Sequence, residues 1–545
     1  MNLPVPPRSV SSRRELARTA FRIAAAAFTA RALAACSHLN SSGDARSQTP
    51  TLQANPFTLG VASGCPGSGS VTLWTRLAPV PSEIDGGMPP VAVDLRWEVA
   101  KDEQFSSIVA SGHTQALPQR AHAVHVRVSG LAPAHRYWYR FVLDASPGAA
   151  SRISPVGRTM TAAGPGHPLQ TLRIAVASCQ HYERGYFSAL SHLADENPDL
   201  ILFLGDYIYE SNLSRNPVRR HWSPEPTDLA GYRLRYAQYR TDPDLQRAHA
   251  VAPWLMTWDD HEVDNDYAND RSQDLESNFL IRRAAAYLAY FEHMPLDPDW
   301  LPNGPDMQLY RRFEFGDLVG IQMLDCRQYR SHQACPKPGR GGSNVVQNCA
   351  ELFEPTRSLL GTKQERWLAT GLRDSRVRWN LIAQSTLFAY FDLLPGPGER
   401  FWTDGWSGYP AAAQRLLNDL QASGARNPII LGGDVHCHYV ADVKADYKRS
   451  DSRTIGTEFC VTSITSPGMA QGRVDSALLE NPHVLLGDAI RRGYLVLQIE
   501  RGQARADLRV ISSPRDAQAT IETLASFVVD EGRPGARRVG PQRKV

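Results

Sequence analysis

Acidic and nucleophilic side chains stand directly after several short apolar stretches of this sequence. The stretch LFLGDYIYE (202–210) passes from apolar residues through a glycine to Asp206, and Tyr209 follows three positions later. Other apolar stretches end in the same way, at Cys179, Asp259, Asp260, Asp325 and Asp434. Carboxylates and a thiol are costly to ionise close together away from water, and cations remove that cost. If these side chains converge, they form a site for more than one metal ion.

The stretches that carry these residues have the pattern of buried parallel strands. LRIAVASC and LILFLGD flank a helical stretch, GYFSALSHLADE, and this β-α-β order implies parallel pairing. WLMTWDD, VGIQMLD, NLIAQS and PIILGGD continue the series. The carboxyl ends of parallel strands share one edge of a sheet, where ligands bind. We therefore expect an α/β domain over residues 171–512, with the site at that edge.

Residues 55–163 have a different pattern, in which short strands alternate apolar and polar side chains between Gly/Pro turns. This spacing predicts an all-β sandwich of the immunoglobulin or fibronectin type. His122 and His125 are expected on its surface or rim. At the other end of the chain, residues 513–545 are predicted to form a C-terminal helix, within AQATIETLASFVV, and a solvated basic tail.

The first 36 residues are predicted to be an export signal. Arg13 and Arg14 precede a weakly apolar, alanine-rich segment, as in signals of the twin-arginine type. The run LAAC has the form of a lipoprotein processing site, which would leave Cys36 as a lipid-anchored N-terminus. A leader without this function and a start codon placed too early are the alternatives. The prediction places the mature protein in the periplasm, on the cell surface or in the medium, with a linker over residues 37–54.

The composition is that of a globular protein and does not favour nucleic acid as a partner. The 545 residues are 42% hydrophobic, and this length predicts two or more domains. The formal charge of +3 is a property of the leader, because its six arginines and one glutamate leave the remainder near −2. Among eight cysteines, Cys335 and Cys349 flank a Gly/Pro-rich loop that suits a disulfide.

Three motifs follow one another along the chain, namely GDYIY, DDHE and GGDVHCH. Their order, G-D-x-x-Y, D-H-E and G-D-x-H, resembles that of the calcineurin-like metallophosphoesterases and, more closely, the alkaline phosphatase D (PhoD) family. Similar stretches cover nearly all of residues 55–535, among them VASCQ, RRAAAYLAYFEHMPL, MLDCRQYR and FVVDEGRPGA. The resemblance implies an α/β metallophosphoesterase fold, with layered sheets flanked by helices, behind the N-terminal sandwich.

The resemblance also implies which side chains hold metals. A ferric ion would take Cys179, Asp206, Tyr209 and His436 as ligands, and thiolate and tyrosinate suit such an ion. Calcium would share Asp206 with the iron and take further oxygen ligands from Asp260 and Asp434. Asp259 and Asp325 are weaker candidates, and anchoring Arg327 is the alternative role for Asp325.

The implied activity is hydrolysis of phosphate monoesters and diesters by in-line attack of a metal-activated water. His261 is placed to donate to the phosphate or the leaving group, or else to be a supporting histidine oriented by Glu262. Arg282 or Arg283 is expected to contact phosphate oxygens, with a position on the helix surface as the alternative. His438 is a candidate for a supporting role near the metals. The enzyme is expected to be a monomer.

Two other functions remain open at this point. One is a phospholipase D-type phosphodiesterase of the same fold, which needs a wide cleft. A helix over residues 517–529 could instead form a lid that admits only slim esters. The other is a non-catalytic surface lipoprotein that binds a polymer, which the loss of a metal ligand would have favoured.

Three cysteines and one tyrosine depart from the family pattern. Cys65, Cys326 and Cys437 stand where the family usually has aspartate, threonine and a small residue, and Tyr439 replaces a tryptophan. These changes suggest an extra disulfide or a thiol beside the metals. The pairing among these three cysteines and Cys460 stays open.

Overall fold

The computed structural model describes residues 54–144, 150–213, 215–449 and 451–540. The predicted export signal, Cys36 and nearly all of the predicted linker lie outside these residues. In the part of the chain that is described, none of the helices combines the length and the apolar character that a membrane span requires.

Strands dominate the structure, and helices alternate with many of them. The strands are β1 (Val61–Gly67), β2 (Ser70–Arg76), β3 (Val93–Ala100), β4 (Ile108–Ala116), β5 (Ala123–Ser129), β6 (Arg136–Leu143), β7 (Arg152–Ile153), β8 (Gly157–Met160), β9 (Thr171–Ala177), β10 (Leu200–Leu204), β11 (Trp254–Thr257), β12 (Arg311–Phe315), β13 (Val319–Met323), β14 (Val345–Val346), β15 (Trp379–Ala383), β16 (Phe401–Trp402), β17 (Pro428–Gly432), β18 (His438–Lys444), β19 (Thr454–Cys460), β20 (Val484–Asp488), β21 (Arg492–Glu500), β22 (Gln503–Ile511), β23 (Ile521–Asp530) and β24 (Arg533–Val539). The α-helices are α1 (Ser188–Asp195), α2 (Leu229–Arg240), α3 (Pro243–Val251), α4 (Phe279–His293), α5 (Gly361–Asp374), α6 (Pro410–Ser423) and α7 (Gln471–Leu478). Short 3-10 helices span Pro118–Arg120, Tyr182–Arg184, Pro298–Trp300, Ala350–Phe353 and Trp406–Gly408.

Two large sheets pack face to face and share one apolar core. The strands of the first lie in the order β24-β23-β22-β21-β9-β10-β11-β1-β2-β5, and those of the second in the order β12-β13-β15-β17-β19-β18-β20. Strands β9 to β11 are parallel, and so are β13, β15, β17 and β19. Val176 and Leu202 of the first sheet pack in one cluster with Ile321 and Leu431 of the second.

Helices cover the outer faces of the two sheets. On β10, Leu200, Leu202 and Leu204 face the second sheet, whereas Ile201 and Phe203 pack against side chains of α1 to α4. Both faces of this strand are therefore buried, which explains why its sequence is uninterruptedly apolar. Helices α5 and α6 cover the second sheet in the same way.

The N-terminal strands lie in two packed layers, one of which belongs to the large first sheet and so continues into the rest of the chain. Strands β4, β3, β6, β7 and β8 form a separate sheet that packs on β1, β2 and β5. Strand β1 also pairs in parallel with β11, where Gly64 lies opposite Trp254. A Cβ atom at Gly64 would lie 2.3 Å from the Pro295 carbonyl oxygen, so glycine permits this close approach. His125 lies at the junction rather than on a free rim, because its Nε2 is 2.9 Å from the Met294 carbonyl oxygen.

The predicted C-terminal helix is wrong. Residues 521–530 form strand β23, which pairs with β22, and β24 follows after a turn at Gly532. The alternation of Ala525, Phe527 and Val529, all buried in the core between the sheets, outweighs the helical propensity of the preceding residues. The α/β part therefore continues past residue 512 to Val539, and the segment proposed as a lid is a structural strand.

Candidate metal centre

The predicted metal-site residues follow parallel strands where the two sheets meet. Cys179 and Asp206 stand just after β9 and β10 of the first sheet, and Asp434 and His436 stand after β17 of the second. All four adopt left-handed backbone conformations, with φ between 52° and 62°. This conformation is unfavourable for residues other than glycine and is concentrated at functional sites. The sharp turn at each strand end thus brings the side chains together.

The first group of potential ligands joins Cys179, Asp206 and His436, whose ligand atoms all lie within 4.8 Å of one another. The Tyr209 hydroxyl lies among them, because it donates to Asp206 Oδ2 at 2.8 Å and is 3.1 Å from His436 Nε2. The four side chains that the sequence suggested for one metal ion are therefore adjacent.

His436 has the tautomer that a metal ligand requires. Its Nδ1 lies 2.9 Å from the Pro467 carbonyl oxygen, which can only accept a hydrogen bond, so Nδ1 carries the proton. Nε2 then presents a lone pair toward Tyr209. Ser466 Oγ donates to the Tyr209 hydroxyl at 2.7 Å and fixes it from another side. Partners of this kind orient metal ligands in proteins.

Asp206 also belongs to a second group, with Asp260 and His261. Its Oδ1 is buried and accepts no hydrogen bond from any residue that the structure describes. The Glu262 carboxylate holds the strand ends in place, since it accepts hydrogen bonds from the amides of Asp206, Tyr207 and Asp259. A buried carboxylate oxygen without a partner, at the junction of two ligand groups, fits a ligand that bridges two cations.

Glu210, rather than Glu262, orients His261. The Glu210 Oε2 atom lies 2.7 Å from His261 Nδ1, and its Oε1 accepts from the Asn265 amide at 3.0 Å. Although burial opposes both shifts, this contact lowers the pKa of Glu210 to about 2, and the neighbouring carboxylates raise the pKa of His261 well above its usual value. Sequence reasoning missed Glu210, which ends the stretch LFLGDYIYE.

A third group consists of Asp260, Asp266 and Asp404. The sequence analysis did not single out the last two, because Asp266 lies beyond Asp260 in the loop after β11 and Asp404 follows the very short strand β16. Arg327 stands beside this group, with its guanidinium bonded to Asp259 at 2.6 Å, 2.7 Å from Asp404 and 3.4 Å from Asp260. Its charge is therefore engaged by these carboxylates.

The other predicted carboxylates have distinct positions. Asp434 lines the cavity described below and accepts from Thr386 Oγ1 at 2.8 Å, but it does not belong to the three compact groups. Asp259 is bonded to Arg327 and to Ser385. Asp325 accepts from the Arg327 amide and from Trp258 Nε1, which agrees with its expected anchoring role.

Arg282 and Arg283 do not line the site, so the expected phosphate contact needs correction. Arg282 is buried in ion pairs with Glu225, Asp264 and Glu276. Arg283 donates to the carbonyl oxygens of Pro305 and Asn269, and it pairs with Asp306. Both side chains point inward from α4. Their partners, however, lie in the loops around this helix and not in the cavity lining.

Burial raises the pKa values of the group around Asp206. It is the main cause of the strongly raised pKa of the Asp206 and Asp434 carboxyls, with further contributions from neighbouring carboxylates. Burial and the Asp206 charge likewise raise the pKa of the Cys179 thiol and the Tyr209 phenol well above their usual values. A cation reverses this balance, because metal ligands bind in their deprotonated forms.

A cavity of about 350 Å³ opens onto these groups. The polar part of the lining, here called the acidic wall, carries Asp206, Asp260, His261, Asn265, Asp266, Asp434 and His436. The apolar part, here called the apolar wall, contains Val345, Leu387, Phe391, Leu393, Trp402, Trp406, Tyr439 and Met469. The cavity therefore combines potential metal ligands with a large apolar surface.

The cysteine predictions are answered in part. Cys335 and Cys349 form the predicted disulfide. Cys65, Cys326, Cys437 and Cys460 are free thiols, so the extra disulfide suggested by the family departures is not formed. His438 is buried away from the cavity lining, and its Nδ1 accepts from the Thr462 amide at 3.3 Å.

Comparison with known proteins identifies the family. Residues 174–508 match the model of the PhoD-like phosphatase, and residues 43–163 match the model of the PhoD-like phosphatase N-terminal domain. Alkaline phosphatase D of Bacillus subtilis (strain 168) is 44% identical over 501 residues, which cover 90% of this chain and 83% of the relative. A solved structure titled "Structure of PhoD" superposes with a TM-score of 0.86 at 43% identity, covering 91% of this chain and 94% of that one. The chain belongs to the PhoD-like phosphatase family.

Proposed function

We infer that this phosphoric ester hydrolase cleaves both phosphate monoesters and diesters, at a centre that holds iron and calcium. The observation that carries the inference is the Asp206 carboxylate, which belongs to two ligand groups and has a buried oxygen with no hydrogen-bond partner among the described residues. The family and the alkaline phosphatase relative support ester hydrolysis. The two facing sheets with outer helices support a metallophosphoesterase fold.

The donor set supports two different metals. Cys179, Asp206, Tyr209 and His436 would hold the ferric ion, since thiolate and phenolate are donors that favour an oxidised, Lewis-acidic metal. Oxygen donors of Asp206, Asp260 and Asp434 would hold calcium. Asp266 and Asp404 are further oxygen donors close to Asp260. Metal ions bound there supply Lewis-acid activation of the ester and of the attacking water.

His261 is the group of this chain best placed to act on the substrate. It lines the cavity, Glu210 fixes its Nδ1, and its ring packs at a tilt against the Tyr209 ring with centroids 4.1 Å apart. The Nδ1–H bond to Glu210 leaves Nε2 to donate to a phosphoryl or leaving-group oxygen. General-acid assistance of this kind contributes about 10²–10⁴-fold to rate.

We also propose that residues 1–36 act as a twin-arginine signal and direct export of the enzyme. Fusing these residues to a reporter protein tests it. We expect export that is lost when Arg13 and Arg14 are replaced by lysine, and export that survives this change would contradict the assignment.

Turnover and calcium dependence test the activity together. We expect the purified protein to hydrolyse p-nitrophenyl phosphate and bis-p-nitrophenyl phosphate, to lose both activities in a calcium chelator, and to regain them when calcium is added. Activity that is indifferent to the chelator would contradict the calcium assignment. Hydrolysis of the monoester alone would contradict the diesterase assignment.

A further inference from the structure

We propose that the apolar wall of the cavity binds the organic group of the ester, and that the enzyme selects phosphate esters with a compact, uncharged apolar group over esters that carry additional negative charge. This inference rests on the proposed function, because it assumes that the phosphate lies at the carboxylate groups. It assigns the specificity to Leu387, Phe391, Leu393 and Trp402.

The apolar wall is built from segments that are well anchored. Phe391 is buried and packs against Tyr439, with ring centroids 5.1 Å apart. Val345 pairs with Trp402 across the short sheet of β14 and β16. The loop that carries Val345 is closed by the disulfide and tied to the acidic wall, because Ser343 donates to Asp266 from both its amide and its hydroxyl. The loop that carries Val345 is therefore held next to Asp266.

The charge of the cavity argues against a polyanionic organic group. Neither lysine nor arginine is among the described residues that line it. Arg327, which is nearby, is engaged by Asp259 and Asp404. A second anionic group on the substrate would thus enter an apolar wall that offers no cation among the described residues, and this placement is unfavourable.

The size of the cavity limits the organic group. Binding pockets for small ligands occupy roughly 300–1,000 Å³, and about 350 Å³ is at the lower end of that range. This volume suits one phosphate with one ring or short alkyl chain, so the second organic group of a diester would extend out of the cavity. Long acyl chains would have to leave the cavity past the half-exposed Val345 and Met469.

Binding of phosphonates, which are not hydrolysed, separates this proposal from turnover. Calorimetry on the metal-loaded enzyme gives the Kd of methylphosphonate, phenylphosphonate, butylphosphonate and 3-phosphonopropionate. The last two have similar size but differ by a carboxylate. We expect phenylphosphonate to bind about tenfold or more tightly than methylphosphonate, and butylphosphonate about tenfold more tightly than 3-phosphonopropionate, as for other apolar pockets.

Variants of the wall identify the residues responsible. Leu393→Ala and Phe391→Ala should weaken phenylphosphonate about tenfold and leave methylphosphonate unchanged. Because Leu393 is half-buried, the Leu393→Ala variant still tests the proposal if Phe391→Ala does not fold. Val345→Arg should reverse the order of butylphosphonate and 3-phosphonopropionate, because it supplies the missing cation. Ile281→Ala is the control, since this exposed side chain on α4 is not among the residues that line the cavity.

The outcomes are distinguishable from failure of the proposed function. Equal Kd values for methyl- and phenylphosphonate, or a preference that survives both alanine substitutions, would overturn the inference even if esters are hydrolysed. Absence of turnover on bis-p-nitrophenyl phosphate would instead overturn the function, whatever the phosphonate series shows. A preference for long-chain over short-chain alkylphosphonates would overturn the size limit and favour a lipid substrate.

Discussion

Two buried groups of charged side chains, one around Arg282 and the other around Asp206, differ in how their charges are balanced. Arg282 pairs with Glu225 at 2.7 Å, with Glu276 at 2.9 Å and with Asp264 at 3.2 Å. Asp206 lies among further carboxylates, a thiol and a phenol, and its Oδ1 has no partner among the described residues. In the first group, called the complete group below, each carboxylate contacts the guanidinium, although Glu225 and Glu276 are partly exposed.

This difference separates a structural role from a functional one. A buried ion pair whose partners are all present holds a fold together, and removing one partner is strongly destabilising. A buried excess of acidic groups has raised pKa values, so the groups take up protons unless cations bind. The four predictions below test this distinction, from the largest expected effect on activity or stability to the smallest.

Asp206→Asn should have the largest effect. We expect kcat to fall at least about 10³-fold, because the amide cannot bridge two cations as a carboxylate does. Elemental analysis should show that metal content falls with it. The matched control is Asp264→Asn, which changes a buried carboxylate of the complete group and should retain both metals and turnover. Metal content equal to the wild type in Asp206→Asn would contradict the bridging role.

Arg327→Met should mainly reduce stability. The substitution leaves Asp259 buried without its cation and Asp404 with Arg330 alone, and breaking such a buried pair costs about 3–5 kcal/mol. Chemical denaturation of the metal-free protein measures the free energy of unfolding. An unchanged value would mean that these carboxylates are neutral or hydrated in the fold.

Glu210→Gln should reduce kcat by roughly 10–100-fold, a part of what general-acid catalysis contributes. The glutamine keeps the size of the side chain but loses the charge that fixes His261 Nδ1. Metal content should remain that of the wild type, which distinguishes this variant from Asp206→Asn. A kcat within twofold of the wild type would show that His261 needs no such orientation.

Arg282→Gln should have the smallest effect on activity. Its guanidinium is engaged by Glu225, Asp264 and Glu276, so kcat and KM should stay within about twofold. Thermal melting should show a loss of stability, because buried charged partners lose their cation. A large rise in KM alone would restore the phosphate contact that the sequence suggested.

The sequence predicted the ligands that follow strands, because a turn after a buried strand leaves a recognisable pattern. Cys179, Asp206 and His436 are adjacent for this reason. Asp266 and Asp404 do not show this pattern, since Asp266 lies well beyond the end of β11 and Asp404 follows a strand of only two residues. The motif offered Glu262 as a possible partner of His261, because the two are adjacent in sequence. The actual partner, Glu210, is brought to His261 by the fold.

Local sequence patterns also do not determine which partner a helix or strand packs against. The stretch FLIRRAAAYLAYFEH predicted α4, but periodicity did not reveal that Arg282 and Arg283 both find partners away from the cavity. In residues 517–529, alternating apolar positions compete with helix-forming residues, and pairing with β22 decides for the strand. Pairing partners distant in sequence are the information that local patterns lack.

The most direct test of the metal centre is metal analysis of the purified protein together with its visible absorption spectrum, in the wild type and in Tyr209→Phe. We expect iron and calcium in the wild type, and a visible charge-transfer band from tyrosinate that disappears in Tyr209→Phe. Zinc alone, no metal, or a band that persists without the phenol would contradict the assignment of Cys179, Asp206, Tyr209 and His436 as ligands of a ferric ion.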